Sequence, residues 1–307
     1  MTSDFRSVGK ELSNWGRWGA ADQKGTLNLI GTEQVLSGVA TVRTGQVIDL
    51  GIEFGPEGPQ DGRVRSNPQR VMLQTGLEER REWVGAFRYA DDLVVMALQA
   101  ATQWDALAHV HYDGLIYNGH AATRIDATGS DVGGVENLLP GVVGRGILID
   151  VAKHRGVEWL PGGSVITPAE LDDVLAAQGT TTTPGDIVLI RTGWRAKFVH
   201  EHDQAAWKST EPGVAMAAAE WCHRRDIAAV GSDNFAVEAI PGENPAQPMP
   251  FHMIAIRDMG MPLAEMLDLE RLSAACAEDA RYEFLFVGAP LRFVGAMGSP
   301  VNPIVIR

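Results

Sequence analysis

Three of the eight histidines of this 307-residue chain fall in one short segment, residues 99–120, which reads QAATQWDALAHVHYDGLIYNGH. If the apolar run before it continues as a strand through Asp105, the two-residue period of a strand puts Gln99, Gln103 and Asp105 on one face, with His109 and His111 close beyond. Amide, carboxylate and imidazole would then converge. A carboxylate beside an imidazole is the least that hydrogen-bonded acid/base chemistry or the holding of a divalent metal requires, and a strand supplies the rigidity such geometry needs. The same residues also fit plainer duties. Asp105 suits a cap on the following turn, His109 a satisfied, half-buried histidine, and Tyr112-Asp113-Gly114 and Tyr117-Asn118-Gly119 two turns. No HExxH zinc signature is present, and His111 and His120 lack the i, i+4 relation of a helical chelate. Trp104 points to the opposite strand face and reads as core. Tyr117 and Asn118 could reach a ligand from their turn, and Asp233-Asn234, just past a short strand, sit where functional loops commonly lie.

The elements that must position these groups are short. Apolar, β-rich runs bounded by Gly, Pro or Asp recur at 47–52, 93–98, 147–151, 187–190, 227–230 and 284–287, the pattern of strands. Thr167-Pro168-Ala169-Glu170 combines a capping threonine, proline at the first helical position and glutamate three residues past the cap, which predicts a helix running toward Gly179. Further helices are expected over about 213–225 and 263–277, and the Gly/Pro-rich stretch 290–303 reads as irregular. The expected class is mixed, strand-rich α/β. With no repeat and no low-complexity linker, residues 1–307 read as a single domain.

Composition excludes several partners. Lys and Arg number 26 against 39 Asp and Glu, so the formal charge is −13, which disfavours nucleic acid and anionic membrane surfaces and leaves small molecules or proteins. Arg80-Arg81 and Asp91-Asp92 read as solvated surface. Cys222 and Cys276 are too few for a disulfide framework and match no CxxC spacing. The polar, acidic start does not resemble an export signal, and the charge-free apolar stretch 93–104 is about half the roughly 20 residues a spanning helix requires. A cytoplasmic location is the expectation.

Residues 99–109 also lie on a known signature, HxGTHxDxPxH, with Thr102, Asp105 and His109 intact. The chain here resembles the metal-dependent cyclase-like hydrolases that include bacterial kynurenine formamidase and isatin hydrolase. Residues 18–30 (WGAADQKGTLNLI), 186–194 (DIVLIRTGW) and 298–303 (GSPVNP) are similar to the longer bacterial members as well, so the likeness spans nearly the whole chain. It implies a swivelling β/β/α fold, a divalent metal site, assembly as a homodimer or homotetramer, and hydrolysis of amide or related bonds. Carried over position by position, Gln99 and Gln103 stand where the family has its two histidine ligands, Asp105 is retained as a ligand, and His252 with Glu265 matches the region of the second site. The implied metal set is Asp105, His252 and Glu265 completed by Gln103, an oxygen-rich set suited to manganese, magnesium or zinc. His109 aligns with the family's proton-transfer histidine, a role that its ordinary pKa near 6.5 allows.

Three functions follow as expectations. The first is a hydrolase of a small amide, cyclic imide or lactone that uses metal-activated water, with His109 and Asp105 catalytic and Gln99, Gln103, Tyr117, Asn118 and Asp233 binding substrate. The second is a metal-independent lyase, dehydratase or isomerase with His109 and Asp105 as the acid/base pair. The third is a non-catalytic small-molecule binding protein.

Overall fold

Side chains that are neighbours in sequence pack into different cores. Ile147, Ile149, Val188, Ile190, Val230 and Leu263 belong to one buried cluster, whereas Leu148, Ile187, Leu189, Ala229 and Ala264 belong to another. Such alternation requires a sheet covered on both faces. The computed structural model, which describes residues 4–78 and 83–307, contains that sheet. Its strands and those of a separate hairpin are β1 (Val47–Asp49), β2 (Gln69–Gln74), β3 (Asp91–Val95), β4 (Gln103–Asp105), β5 (Val142–Asp150), β6 (Ile187–Arg191), β7 (Ala229–Ser232), β8 (Leu263–Glu265), β9 (Glu283–Gly288), β10 (Gly298–Pro300) and β11 (Ile304–Ile306). Nine of them form one sheet in the order β1-β11-β9-β5-β6-β7-β8-β4-β10, while β2 and β3 pair only with each other. The central neighbours β5, β6, β7 and β8 run parallel and both wings are antiparallel. This is the mixed, strand-rich α/β class expected.

The best-signalled helix forms as its sequence dictates. Helix Pro168–Gln178 starts with the Glu170 N–H donating to Thr167 Oγ1 and ends at Gly179, whose φ of 67° is the left-handed conformation that glycine adopts freely. Elsewhere pairing partners override local propensity. The expected helix 263–277 divides into strand β8 and helix Glu270–Asp279, because Leu263, Ala264 and Glu265 find ladder partners on both sides, in β7 and in β4. The helix expected over 213–225 is confined to Ala218–Arg224, since Gly213–Val214 pairs with Val165–Ile166. The stretch 290–303 is not irregular throughout: β10 adds an edge strand, a place that tolerates Pro300. The run 93–98 does not continue into the site segment. β3 stops at Val95, and a turn closed by the Ala100 N–H on the Ala97 carbonyl separates it from β4. Arg80 and Arg81 lie outside the described residues. Among the described residues no helix is long and apolar enough to cross a membrane.

The parallel core is locked by one buried cation. Arg191, at the end of β6, donates to Asp150 (3.0 Å), to both oxygens of Glu270 (2.8 Å each) and to the Glu158 carbonyl (3.1 Å). Asp150 is almost fully buried, so removing its partner strands a carboxylate in low dielectric. Replacing Arg191 with Met should lower unfolding stability by about 3–5 kcal/mol in urea titrations, and adding Asp150→Asn to that variant should recover part of the loss. An Arg191→Met chain as stable as the parent would contradict this account of the core.

Candidate functional site

Strand register brings the chemistry together. Gln103 on β4 sits opposite Glu265 on β8, and Asp105 sits opposite Gly298 on β10. The period of two then turns Gln103 and Asp105 to one side and Trp104 to the other. Trp104 is fully buried, edge-on to Phe286, and donates its indole N–H to the Gly288 carbonyl at 3.0 Å. Gln99 arrives from the preceding turn rather than from β4, and its side chain fills the space where a Cβ on residue 298 would stand. His109 follows in a turn closed on the Ala106 carbonyl, and His252 ends the short helix Pro250–His252, where the backbone loosens into a π-helical turn, Met253–Asp258.

The polar groups form one connected network. His252 Nδ1 lies 2.7 Å from Glu238 Oε1 and its Nε2 lies 3.0 Å from Glu265 Oε1 and 3.9 Å from Asp105 Oδ2. The Gln103 amide donates to Glu265 Oε2 at 2.7 Å and to Asp105 Oδ1 at 3.2 Å. The Gln99 amide nitrogen lies 3.0 Å from His109 Nδ1 and 3.4 Å from Asp105 Oδ1, and His109 Nε2 is 3.9 Å from Asp105 Oδ1. Asp105, His252 and Glu265 each offer a ligand atom within 4.8 Å of the others. Two buried oxygens at this centre, Asp105 Oδ2 and Gln103 Oε1, have no hydrogen-bond partner among the described residues. An orphaned carboxylate oxygen facing a histidine and a second carboxylate fits a divalent cation, and the set of carboxylates, imidazole and amide is the hard, oxygen-rich kind that manganese, magnesium or zinc accepts.

Electrostatics separate the two histidines. Burial opposes a charge on His252, but its hydrogen bonds to Glu238 and Glu265 outweigh that and push it up to about 10. Burial and the neighbouring Asp105 charge raise Glu265 to about 7. His109 goes the other way: burial, with Arg65 and His252 adding to it, lowers its pKa against the pull of Asp105. With its side chain 24% exposed it meets solvent, as the half-buried Gln99 beside it does, and the lowered pKa keeps it neutral at neutral pH.

Other expected site residues spend their hydrogen bonds elsewhere. Tyr117 donates to Asp22, and Asn118 binds the Gly16 N–H and the carbonyls of Gly19, Ala20 and Asp22, so both fasten the N-terminal segment. Asp233 accepts from the Thr192 N–H and hydroxyl and from the Gly193 N–H, joining the ends of β6 and β7; burial raises it to about 6 despite these donors. Asn234 is also committed, to Pro212 and Val237.

Three contributors escape the sequence reading. Glu238 accepts from the N–H groups of Phe251 and His252 as well as from the His252 ring, so it fixes both the helix start and the imidazole. Glu211 is fully buried, with one oxygen on the Phe235 N–H and the other unpartnered, and burial raises it well above the usual carboxylate range. Arg65 donates to the Gln99 carbonyl. The signal for Glu238 was a lone acid within the apolar stretch 235–240; no comparable signal marks the other two. The backbone is strained at the same place. Val237, Met249 and Met266 all have positive φ (60°, 55° and 56°), next to Glu238, just ahead of His252, and next to Glu265. A β-branched residue at φ 60° is a true outlier, and here Val237 centres a tight turn in which the Glu238 N–H meets the Ala236 carbonyl at 2.5 Å.

Comparison with known proteins agrees with this architecture. A crystal structure described as a novel cyclase superposes with a TM-score of 0.90 at 34% identity, covering 96% of this chain and 100% of that one. Isatin hydrolase A from Labrenzia aggregata shares the fold at 19% identity, with a TM-score of 0.62 and coverage of 89% and 97%. A protein from Bacillus stearothermophilus described as a "predicted metal-dependent hydrolase" does so at 18% identity, TM-score 0.54 and coverage of 85% and 97%. No curated protein matches the sequence. The family model described as "Putative cyclase" matches residues 48–239, and on that match and the 34% identical relative the chain belongs to the cyclase family.

Proposed function

We propose that this protein is a hydrolase of small neutral amides, cyclic imides or lactones, with a divalent metal at Asp105, His252 and Glu265 and with Gln103 turning its orphaned oxygen toward the same point. The observation that carries the reading is the unpartnered, buried Asp105 Oδ2 beside His252 and Glu265, one residue layer from the partly exposed His109. Names of fold relatives, an isatin hydrolase and a metal-dependent hydrolase, point the same way. The ion, when bound, would lower the pKa of a water and polarise the scissile carbonyl.

The chain's own residues supply the rest. Glu238 holds the proton of His252 Nδ1, which leaves Nε2 as the ligand atom once its proton is given up. The Gln99 N–H donates to His109 Nδ1, so the neutral ring carries its proton on Nε2, toward Asp105. A water or substrate that takes over the Gln99 contact releases Nδ1 as a base, and the imidazolium then formed beside Asp105 hands its proton to the leaving nitrogen or oxygen. A metal-free acid/base reading has one observation in its favour: the Gln99 and Gln103 amides already close the network onto Asp105, His109 and Glu265 without an ion. A non-catalytic binding role has none.

Metal titration by calorimetry with Mn²⁺, Mg²⁺ and Zn²⁺, together with turnover of an amide, imide and lactone panel, tests the assignment. Asp105→Asn should abolish metal binding and turnover together. Unchanged hydrolysis by a chelated, metal-free sample would remove the metal from the reading.

His109→Ala should lower kcat by about 10²–10⁴-fold while metal affinity stays within a few-fold of the parent. In the parent, kcat/KM should fall as the pH drops below the ordinary imidazole range, because protonated His109 accepts nothing, and the variant should lack that acid limb. An identical acid limb in both would assign the titration to another group.

A further inference from the structure

A cation stands beside the acidic centre with no acid of its own. Arg65 lies in the loop between β1 and β2, and that loop is tied down on every side. The Asn67 side chain donates to the carbonyls of Pro56, Gly58 and Gln60 and accepts the Gln60 N–H, while the Gln60 amide donates to the Ala100 carbonyl at 2.8 Å. The Arg65 carbonyl closes a turn on the Gly62 N–H at 3.2 Å. From this frame one guanidinium N–H reaches the Gln99 carbonyl at 3.2 Å, and the Gln99 side-chain amide lies 3.0 Å from His109 Nδ1. Arg65 and His109 are therefore each one hydrogen bond from the same residue, and both are partly open to solvent.

Among the described residues no carboxylate comes within ion-pair distance of Arg65. Lys208, which shares the ring of Phe235 with it, is already paired: its Nζ lies 3.2 Å from Asp61 Oδ1 and 5.0 Å from the ring centroid, with the Arg65 guanidinium at 5.9 Å. The Arg65 charge also acts inward, since it helps to lower the pKa of His109 and opposes the rise of Glu265. A clamp on the Gln99 backbone would account for one N–H. It leaves the charge and the remaining donors of the fork without a task.

We propose that Arg65 is a carboxylate-binding residue of the site and receives the acid that hydrolysis sets free; the source of that acid rests on the hydrolase reading. When water opens an amide, cyclic imide or lactone, its oxygen bonds the carbonyl carbon, the C–N or C–O bond breaks, and the leaving atom takes a proton. The new acid then loses its own proton to solvent at neutral pH, so an uncharged substrate becomes an anion. Asp105, Glu238 and Glu265 repel that anion from the buried side. Arg65 offers it a planar fork of donors on the solvent side, the geometry that pairs with a carboxylate through two parallel hydrogen bonds. The product is thus held by a group that gives the neutral substrate little, and it is held facing outward.

Calorimetry on the full chain with two ring-opened acids, succinamate and 2-carbamoylbenzoate, tests the proposal, with 1-indanone as an uncharged control that cannot be hydrolysed. Arg65→Gln keeps a donor for the Gln99 carbonyl and removes the charge. It should weaken binding of the acids by about 10–100-fold, leave 1-indanone within about 2-fold of the parent, and keep the parent's far-UV circular dichroism. Arg65→Lys, which retains the charge without the fork, should recover part of the loss. A parent that binds neither acid overturns the proposal, as does an Arg65→Gln chain that binds them like the parent, which would make Arg65 a backbone clamp only. Equal loss of the acids and of 1-indanone would overturn it too. Because binding requires no turnover, the two readings fail separately: a chain with the Arg65-dependent preference that opens no amide, imide or lactone keeps the carboxylate site and loses the hydrolase, and one that hydrolyses without the preference does the reverse.

Discussion

Too many negative groups converge on too little positive charge at the centre of this protein. Asp105, Glu211, Glu238 and Glu265 are all buried around a single imidazole, His252, whose two nitrogens are each held by a carboxylate. Carboxylates in low dielectric must be protonated, hydrogen-bonded or paired with a cation. The chain meets the demand in part: Glu238 takes three N–H donors, Glu265 takes the Gln103 amide, and Glu211 is driven toward its neutral form. Bare oxygens remain on Asp105, Gln103 and Glu211, and the site's chemistry follows from the one on Asp105, which faces His252 and Glu265.

The fold imposes this crowding rather than merely tolerating it. β4 is held between β8 and β10, so Gln103 and Asp105 have no freedom to turn outward, and Thr102 fastens the same strand by donating to the Met266 carbonyl and accepting from the Ile52 N–H. The positive φ values at Val237, Met249 and Met266 show backbone being spent to aim Glu238, His252 and Glu265 inward. Ladder pairing on both sides of β8 and close packing around the short helix before the π-helical turn overdetermine these conformations.

Some of this was legible in the sequence. Period-two alternation gave the faces of Gln103, Trp104 and Asp105 correctly, and the Thr167 cap marked its helix, because both depend on neighbours in the chain. Glu265 looked helical because Leu, Ala, Glu and Met favour helix, and its strand state depends on partners remote in sequence, at Trp104 and Gln103 and at Val230 and Gly231. Gln99 was expected on a strand because the apolar run before it is continuous; the turn at 97–100 is fixed by contacts that no local pattern carries. Tyr117, Asn118 and Asp233 carry functional-looking groups, yet their partners in the fold are backbone amides, carbonyls and the side chains of Asp22 and Thr192. Glu211 is invisible for the same reason: only the folded chain removes water from it.

The placement of β10 bears on how the molecule comes into being. Asp105 gains its flanking strand only when residues 298–300 dock, and the ribosome releases those long after it has released the loop carrying His109. Until then β4 has an open edge and Gln99 lacks the glycine surface it rests against. The polar centre around Asp105 therefore takes its final form only once residues 298–300 have joined β4.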